Sequence, residues 1–284
     1  MSSDHHPYIT PDKVNALPSK PADVRSHYGS APNQFGELRM PDGPGPHPVA
    51  VVIHGGCWLS GYADLRNSDA LADALRNEGI ATWNIEYRCV DQPGGGWPGT
   101  FLDAGQATDH LRQLAETHAL DLNRVITTGH SAGGHLALWI GSRGKLAPDS
   151  PLRMPDPLPL LGTIVLGGPG DLKRFTANAD IECQQGIISR LMGGLPHEVP
   201  ARYHDGSPVE RLPIGIRQIF ISSEHDWVVF PELGDEYTAK ARAAGDQAEH
   251  IIVKNAGHHE LMAPGSVTWP TVRDAVMGML RCET

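Results

Sequence analysis

The 284-residue chain predicts an α/β fold. The expected architecture is a mostly parallel central sheet of about eight strands with helices on both faces. Two observations carry this. Short runs of small and β-branched apolar residues recur along the chain, as strands buried on both faces require. Between them lie segments with apolar residues at helical spacing, so strand and helix alternate.

Taken in order, residues 1–24 are polar and proline-containing, an N-terminal arm that is extended or briefly helical. His27-Tyr28-Gly29 and residues 35–40 read as antiparallel strands at one edge. A Pro/Gly-dense loop leads to a buried strand at 49–53. Residues 68–77 place Leu71 and Leu75 on one helical face, and Glu78-Gly79 ends that helix. A strand at 80–87, a Pro/Gly-rich loop at 91–99 and one helix at 100–118 follow. The next unit is a strand at 124–128 and a helix at 134–145. After a proline-rich loop (147–160) comes a strand at 163–166. Regular alternation lapses over 172–209, where a short lid-like insertion is expected. Ile187-Ile188, Leu191-Met192 and Leu195 are apolar at helical spacing there. A strand at 218–223, a helix at 231–244, a strand at 249–253 and a helix at 267–281 complete a single domain spanning 25–284.

Three constellations carry chemistry. Gly129-His130-Ser131-Ala132-Gly133 matches G-x-S-x-G between a strand and a helix. That turn holds a serine in strained backbone geometry, with the following helix N-terminus aimed at the site. His54-Gly55-Gly56-Cys57-Trp58 follows a buried strand. Its bare backbone N–H groups suit an oxyanion, so Gly56 and Cys57, with Ala132, are the expected donors. His54 reads as a brace for the loop. Downstream, Glu224-His225-Asp226 and Gly257-His258-His259 each end a strand. The order Ser131, Asp226, His258 gives a nucleophile, an acid and a base. Glu224 competes with Asp226. Asp171 is a third candidate whose simpler role is a helix cap. His259 and His130 are expected to line the pocket, together with Trp58, Ile188 and Met192.

These three motifs resemble the α/β-hydrolase superfamily across nearly the whole chain. The H-G-G-x-W loop is similar to that of the esterase and kynurenine formamidase-like branch, although its fourth position is Cys57 where formamidases usually carry tyrosine. The resemblance implies an α/β-hydrolase fold with Ser131 as nucleophile, Asp226 as acid and His258 as base. It implies a serine hydrolase cleaving a small carboxylic ester through an acyl-enzyme. The alternatives are an arylformamidase and a ligand-binding protein on a hydrolase scaffold.

Composition bounds the rest. Formal net charge is −10, and no Lys/Arg-rich run occurs, which disfavours nucleic acid. No phosphate-loop, dinucleotide or H-E-x-x-H pattern appears, so no cofactor and no metal are expected. No apolar run is long enough to span a membrane. Cys57, Cys89, Cys183 and Cys282 lack paired spacing and read as free thiols, and hence as a reducing, cytoplasmic setting. The expected partner is a small-molecule ester or amide. Whether the chain forms a homodimer stays open.

Overall fold

A computed structural model of the chain describes residues 8–281. Residues 1–7 of the arm and Cys282 lie outside the described residues. The elements, in order, are α1 (Pro11–Asn15), β1 (Val24–His27), β2 (Phe35–Arg39), β3 (His47–Ile53), α2 (Asp69–Asn77), β4 (Ala81–Ile85), α3 (Gly99–Asp109), α4 (Leu111–Leu114), β5 (Leu120–His130), α5 (Ala132–Ser142), β6 (Gly162–Leu166), α6 (Leu172–Glu182), α7 (Ile187–Met192), α8 (Pro200–Gly206), β7 (Arg217–Ser223), α9 (Pro231–Ala243), β8 (Ala248–Val253) and α10 (Trp269–Leu280). The eight strands form one sheet in the order β1-β2-β4-β3-β5-β6-β7-β8. β1–β2 and β2–β4 pair antiparallel, and every later pairing is parallel.

Strand β3 shows why the apolar run at 49–53 is continuous. Val49, Val51 and Ile53 join one hydrophobic cluster, and Ala50 and Val52 join another on the opposite face. Both faces are covered, so no position in the run is free to be polar. The first cluster is capped by Phe101 of α3 and by Leu136 and Trp139 of α5. The second is capped by Leu71 and Leu75 of α2 and Val276 of α10. Register aligns the strand ends: Ile53 lies beside Gly129, His130 beside Leu166, and Leu166 beside Ile221. The loops after β3, β5, β7 and β8 therefore emerge along one carboxyl edge, where parallel α/β sheets bind ligands.

Two expectations of local structure change. The helix expected to run to His118 is divided at His110 and ends at Leu114. The Ala107 carbonyl, which would accept the Leu111 N–H, accepts the Trp83 indole N–H of β4 instead (2.8 Å). The insertion at 172–209 is three helices, α6 to α8. Its apolar residues Ile187, Ile188, Leu191 and Met192 are fully buried in the first cluster, and Leu195 is exposed.

His135 of α5 ties this insertion down. Its Nε2–H donates to the Gly206 carbonyl at the end of α8 (2.9 Å), and the side chain is fully buried. Burial pushes its pKa down to about 4. Between that value and the unfolded value near 6.5, the unfolded state holds one more proton on His135 than the native state. This group's effect therefore weakens stability as pH falls through that window. His135→Gln should make the slope of unfolding free energy against pH, measured by urea titration at pH 6 and pH 5, shallower by about 1.4 kcal/mol per pH unit. An unchanged slope would remove His135 from the acid response.

Candidate functional site

Ser131 has φ 53° and ψ −118°, a backbone conformation that side chains seldom adopt. Close backbone packing holds it there. A Cβ on Gly129 would meet the Gly133 carbonyl oxygen at 2.2 Å. A Cβ on Gly133 would meet the carbonyl oxygens of Ile53 and His54 at 2.2 and 2.3 Å. Both glycines are thus demanded by contact, whatever their φ. The Ser131 N–H donates to Leu166 O on the neighbouring strand (2.9 Å), and Ser131 O accepts from His135 N (3.1 Å). The turn is pinned on both sides, and strain of this kind persists only where surroundings over-determine it.

The loop after β3 is equally constrained. Gly56, Cys57 and Trp58 have φ values of 96°, 54° and 55°. Beneath them His54 and Glu86 form a buried pair (Nε2 to Oε1, 2.9 Å), and His54 Nδ1–H donates to Gly55 O (2.8 Å). Both ring nitrogens face acceptors, which suits the protonated ring. Burial opposes that charge, but Glu86, the Gly55 carbonyl and Asp64 together outweigh it and raise the His54 pKa. Burial likewise opposes ionised Glu86, and His54 with the Tyr87 and Leu65 N–H groups outweighs it and lowers the carboxyl pKa. Glu86 also accepts from the N–H groups of Tyr87 (2.9 Å) and Leu65 (3.0 Å). The Tyr87 hydroxyl donates to the carbonyls of His54 and Gly55 (3.1 and 3.2 Å). With these carbonyls held, the N–H groups of Gly56 and Cys57 are left without protein acceptors among the described residues. Ala132 is the first residue of α5, where an N–H has no intrahelical partner.

Asp226 and His258 meet from separate strand ends. His258 Nδ1–H donates to Asp226 Oδ2 (2.7 Å), and both side chains are buried. Asp226 Oδ1 accepts from the N–H groups of Val228 (2.9 Å) and Val229 (2.8 Å). The carboxylate is thereby fixed in position, and Nε2 is left as the basic nitrogen. The turn that carries His258 is fixed by Glu260, whose carboxylate accepts from Gly257 N (3.1 Å) and from Ile9 N of the N-terminal segment (2.7 Å). Glu224 instead pairs with exposed Lys254 (2.7 Å) and accepts from Asn255 N. Asp171 accepts from Arg174 N as the cap of α6 and pairs with Lys240.

Ser131 and His258 line one cavity of about 220 Å³ together with Gly56, Cys57, His130 and His259. Burial, with His258 and His259 beside it, drives the His130 pKa well below its ordinary value. Burial and His258 push His259 to about 3. His130 Nε2–H donates to the His258 carbonyl (2.9 Å), which links the Ser131 turn to the backbone of His258.

Three expected pocket residues do not line this cavity. Trp58 is 1% exposed and turns into the core, edge-on to His135. Ile188 and Met192 are consumed by core packing on α7. The cysteine expectation also fails, because Cys57 and Cys183 form a disulfide with Cα atoms 5.7 Å apart. The pairing spans 126 residues of sequence, which no local spacing could reveal, and it withdraws the inference of a reducing compartment. Cys89 is a buried free thiol, its pKa raised by burial. Pro11, Tyr62, Asn67, Glu182, Trp227 and Val228 line the cavity without a signal in the motifs. Of these, only Trp227 and Val228 sit beside a candidate residue in sequence. No helix among the described residues is long and apolar enough to cross a membrane.

Sheet order, the loops gathered at its carboxyl edge and a serine held in the strand-to-helix turn define an α/β-hydrolase fold. More narrowly, the chain belongs to the BD-FAE family, whose model matches residues 38–229. Esterase LipC of Mycobacterium tuberculosis is 26% identical over 258 residues, covering 86% of this chain. The chain spans 61% of the length of that relative. Two solved structures share the fold. A truncated carbohydrate esterase from gut microbiota has a TM-score of 0.74 at 19% identity, covering 91% of this chain and 98% of its own. Esterase B from Lactobacillus rhamnosis also gives 0.74, at 18% identity, covering 94% and 92%.

The disulfide joins the loop after β3 to the end of α6. Digestion of the unreduced, alkylated protein should yield one cross-linked peptide pair containing Cys57 and Cys183. Replacing both with alanine should lower stability by about 2–4 kcal/mol in urea unfolding. Separate alkylated peptides would refute the pairing.

Proposed function

We propose that this protein is a serine hydrolase of small carboxylic esters. The observation that carries the reading is the Asp226–His258 hydrogen bond opening onto the same cavity as Ser131 in its strained turn. Ser131 Oγ attacks the ester carbonyl while His258 Nε2 takes its proton. The oxyanion lies against the N–H groups of Gly56, Cys57 and Ala132. His258 returns the proton to the departing alcohol and leaves an acyl-enzyme. It then takes a proton from the attacking water and returns it to Ser131 Oγ as the acyl–oxygen bond breaks and the acid leaves. Asp226 holds the ring in the required tautomer and stabilises its charged form. The residues ask for no metal or cofactor in any of these steps.

A cavity of about 220 Å³ lies below the usual ligand-pocket range of roughly 300–1,000 Å³, which favours a short acyl group. The relatives' descriptions as esterases support the same class. A formamidase reading rests on the H-G-G-x-W loop. It is weakened by Trp58, which packs in the core and gives the cavity no indole face.

The test is burst kinetics with p-nitrophenyl acetate beside turnover of N-formyl-L-kynurenine. Ser131→Ala should lower ester turnover by about a thousandfold or more. Asp226→Asn should cost about 10⁴-fold in kcat, while Glu224→Gln should stay near wild type. A higher specificity constant on the formamide would move the protein to the amidase class. No Ser131-dependent turnover of either substrate would favour a binding role.

A further inference from the structure

Among the described residues, Glu182, the last residue of α6, is the sole acidic one lining the cavity in front of Ser131, and no Lys or Arg lines it. The bases of α6 and α7 are engaged elsewhere. Lys173 pairs with Glu210 (2.6 Å), Arg174 with Glu236 (2.9 Å), and Arg190 bonds Gln184. His130 and His259 line the same cavity, but burial keeps both neutral near pH 7.

The placement of Glu182 runs against local preference. A carboxylate at a helix C-terminus adds to the negative end of the helix dipole. Local rules that a sequence breaks without compensation tend to mark functional positions. The helix end is also fixed. The adjoining Cys183 is bonded to Cys57, its carbonyl accepts from the Tyr62 hydroxyl (2.8 Å), and Gly186 N donates to Asp180 (2.9 Å). Asn67, on the same cavity, donates its amide Nδ2–H to Asn15 (2.9 Å) and keeps its carbonyl Oδ1 as an acceptor. Among the described residues the wall thus carries one negative charge and a spare acceptor, with no Lys or Arg to balance them.

We propose that Glu182 sets the charge selectivity of this site, favouring esters with a cationic group near the scissile bond and disfavouring anionic ones. This rests on the ester-hydrolase reading. Glu182 is partly exposed, so its field acts through a screened medium and the effect is moderate and salt-dependent.

The experiment compares kcat/KM for matched acetates: acetylcholine, its neutral isostere 3,3-dimethylbutyl acetate, and O-acetyl isethionate. A second series carries the charge on the acyl side: ethyl 3-aminopropionate, ethyl butyrate and monoethyl succinate. Wild type should prefer cation over anion in at least one series, and high salt should shrink that preference. Glu182→Gln should lower the cation-to-anion ratio by about three- to tenfold, and Glu182→Lys should invert the ratio. Wild type without any charge preference, a preference indifferent to salt, or ratios unchanged in both variants would each overturn the proposal. Failure of Ser131-dependent cleavage of the neutral esters would instead overturn the ester-hydrolase reading beneath it.

Discussion

The site depends on how closely two backbones approach at the end of the sheet. Gly133 of α5 lies so near the carbonyls of Ile53 and His54 that no Cβ fits between them. That contact locks the start of α5 against the end of β3. It sets Ser131 in its left-handed turn and brings the Gly56–Cys57 loop beside it in the same step. The free energy for this strain comes from burial around it. β3 contributes apolar side chains to both faces along 49–53, and Val125 and Ile126 of β5 continue the two clusters, so the packing leaves the turn no room to relax.

A second layer keeps the loop polar groups in order. The His54–Glu86 pair is buried, and a broken buried pair is costly because one charge is left without its partner. Its value here is positional. Glu86 collects two backbone N–H groups in addition to the imidazole, and Tyr87 closes over the carbonyls of His54 and Gly55. The N–H groups of Gly56 and Cys57 have no acceptor within this network, which leaves them available for the oxyanion role proposed for them.

The insertion serves two ends of the molecule. Its middle, α7, is core: Ile187, Ile188, Leu191 and Met192 share a cluster with Leu136 and Trp139. Its first helix carries the cavity wall, tethered through Cys183 to the loop that holds Cys57. A lid made of α7 would have had to expose those four side chains to move, whereas α6 reaches the cavity with its last turn alone. The N-terminal segment closes another side, with Pro11 at the cavity and Ile9 bonded to Glu260.

The sequence by itself determined the sheet-and-helix alternation, because strands buried on both faces are rich in small and β-branched apolar residues. It also pointed to Ser131, His54 to Trp58, Asp226 and His258, because strained turns and bare loops need glycine at fixed offsets. Each of these signals is local. Tertiary structure decided what is not local. It chose Asp226 over Glu224 at His258: the two share the loop after β7, and Glu224 is taken up by Lys254 and the Asn255 N–H while Asp226 reaches the imidazole. It joined Cys57 to Cys183 across the chain. It sent Trp58, Ile188 and Met192 into the core and brought Glu182, Asn67 and Pro11 to the cavity. Helical periodicity marks an apolar face but not what covers it, and only the packed fold assigns that face to core or to substrate.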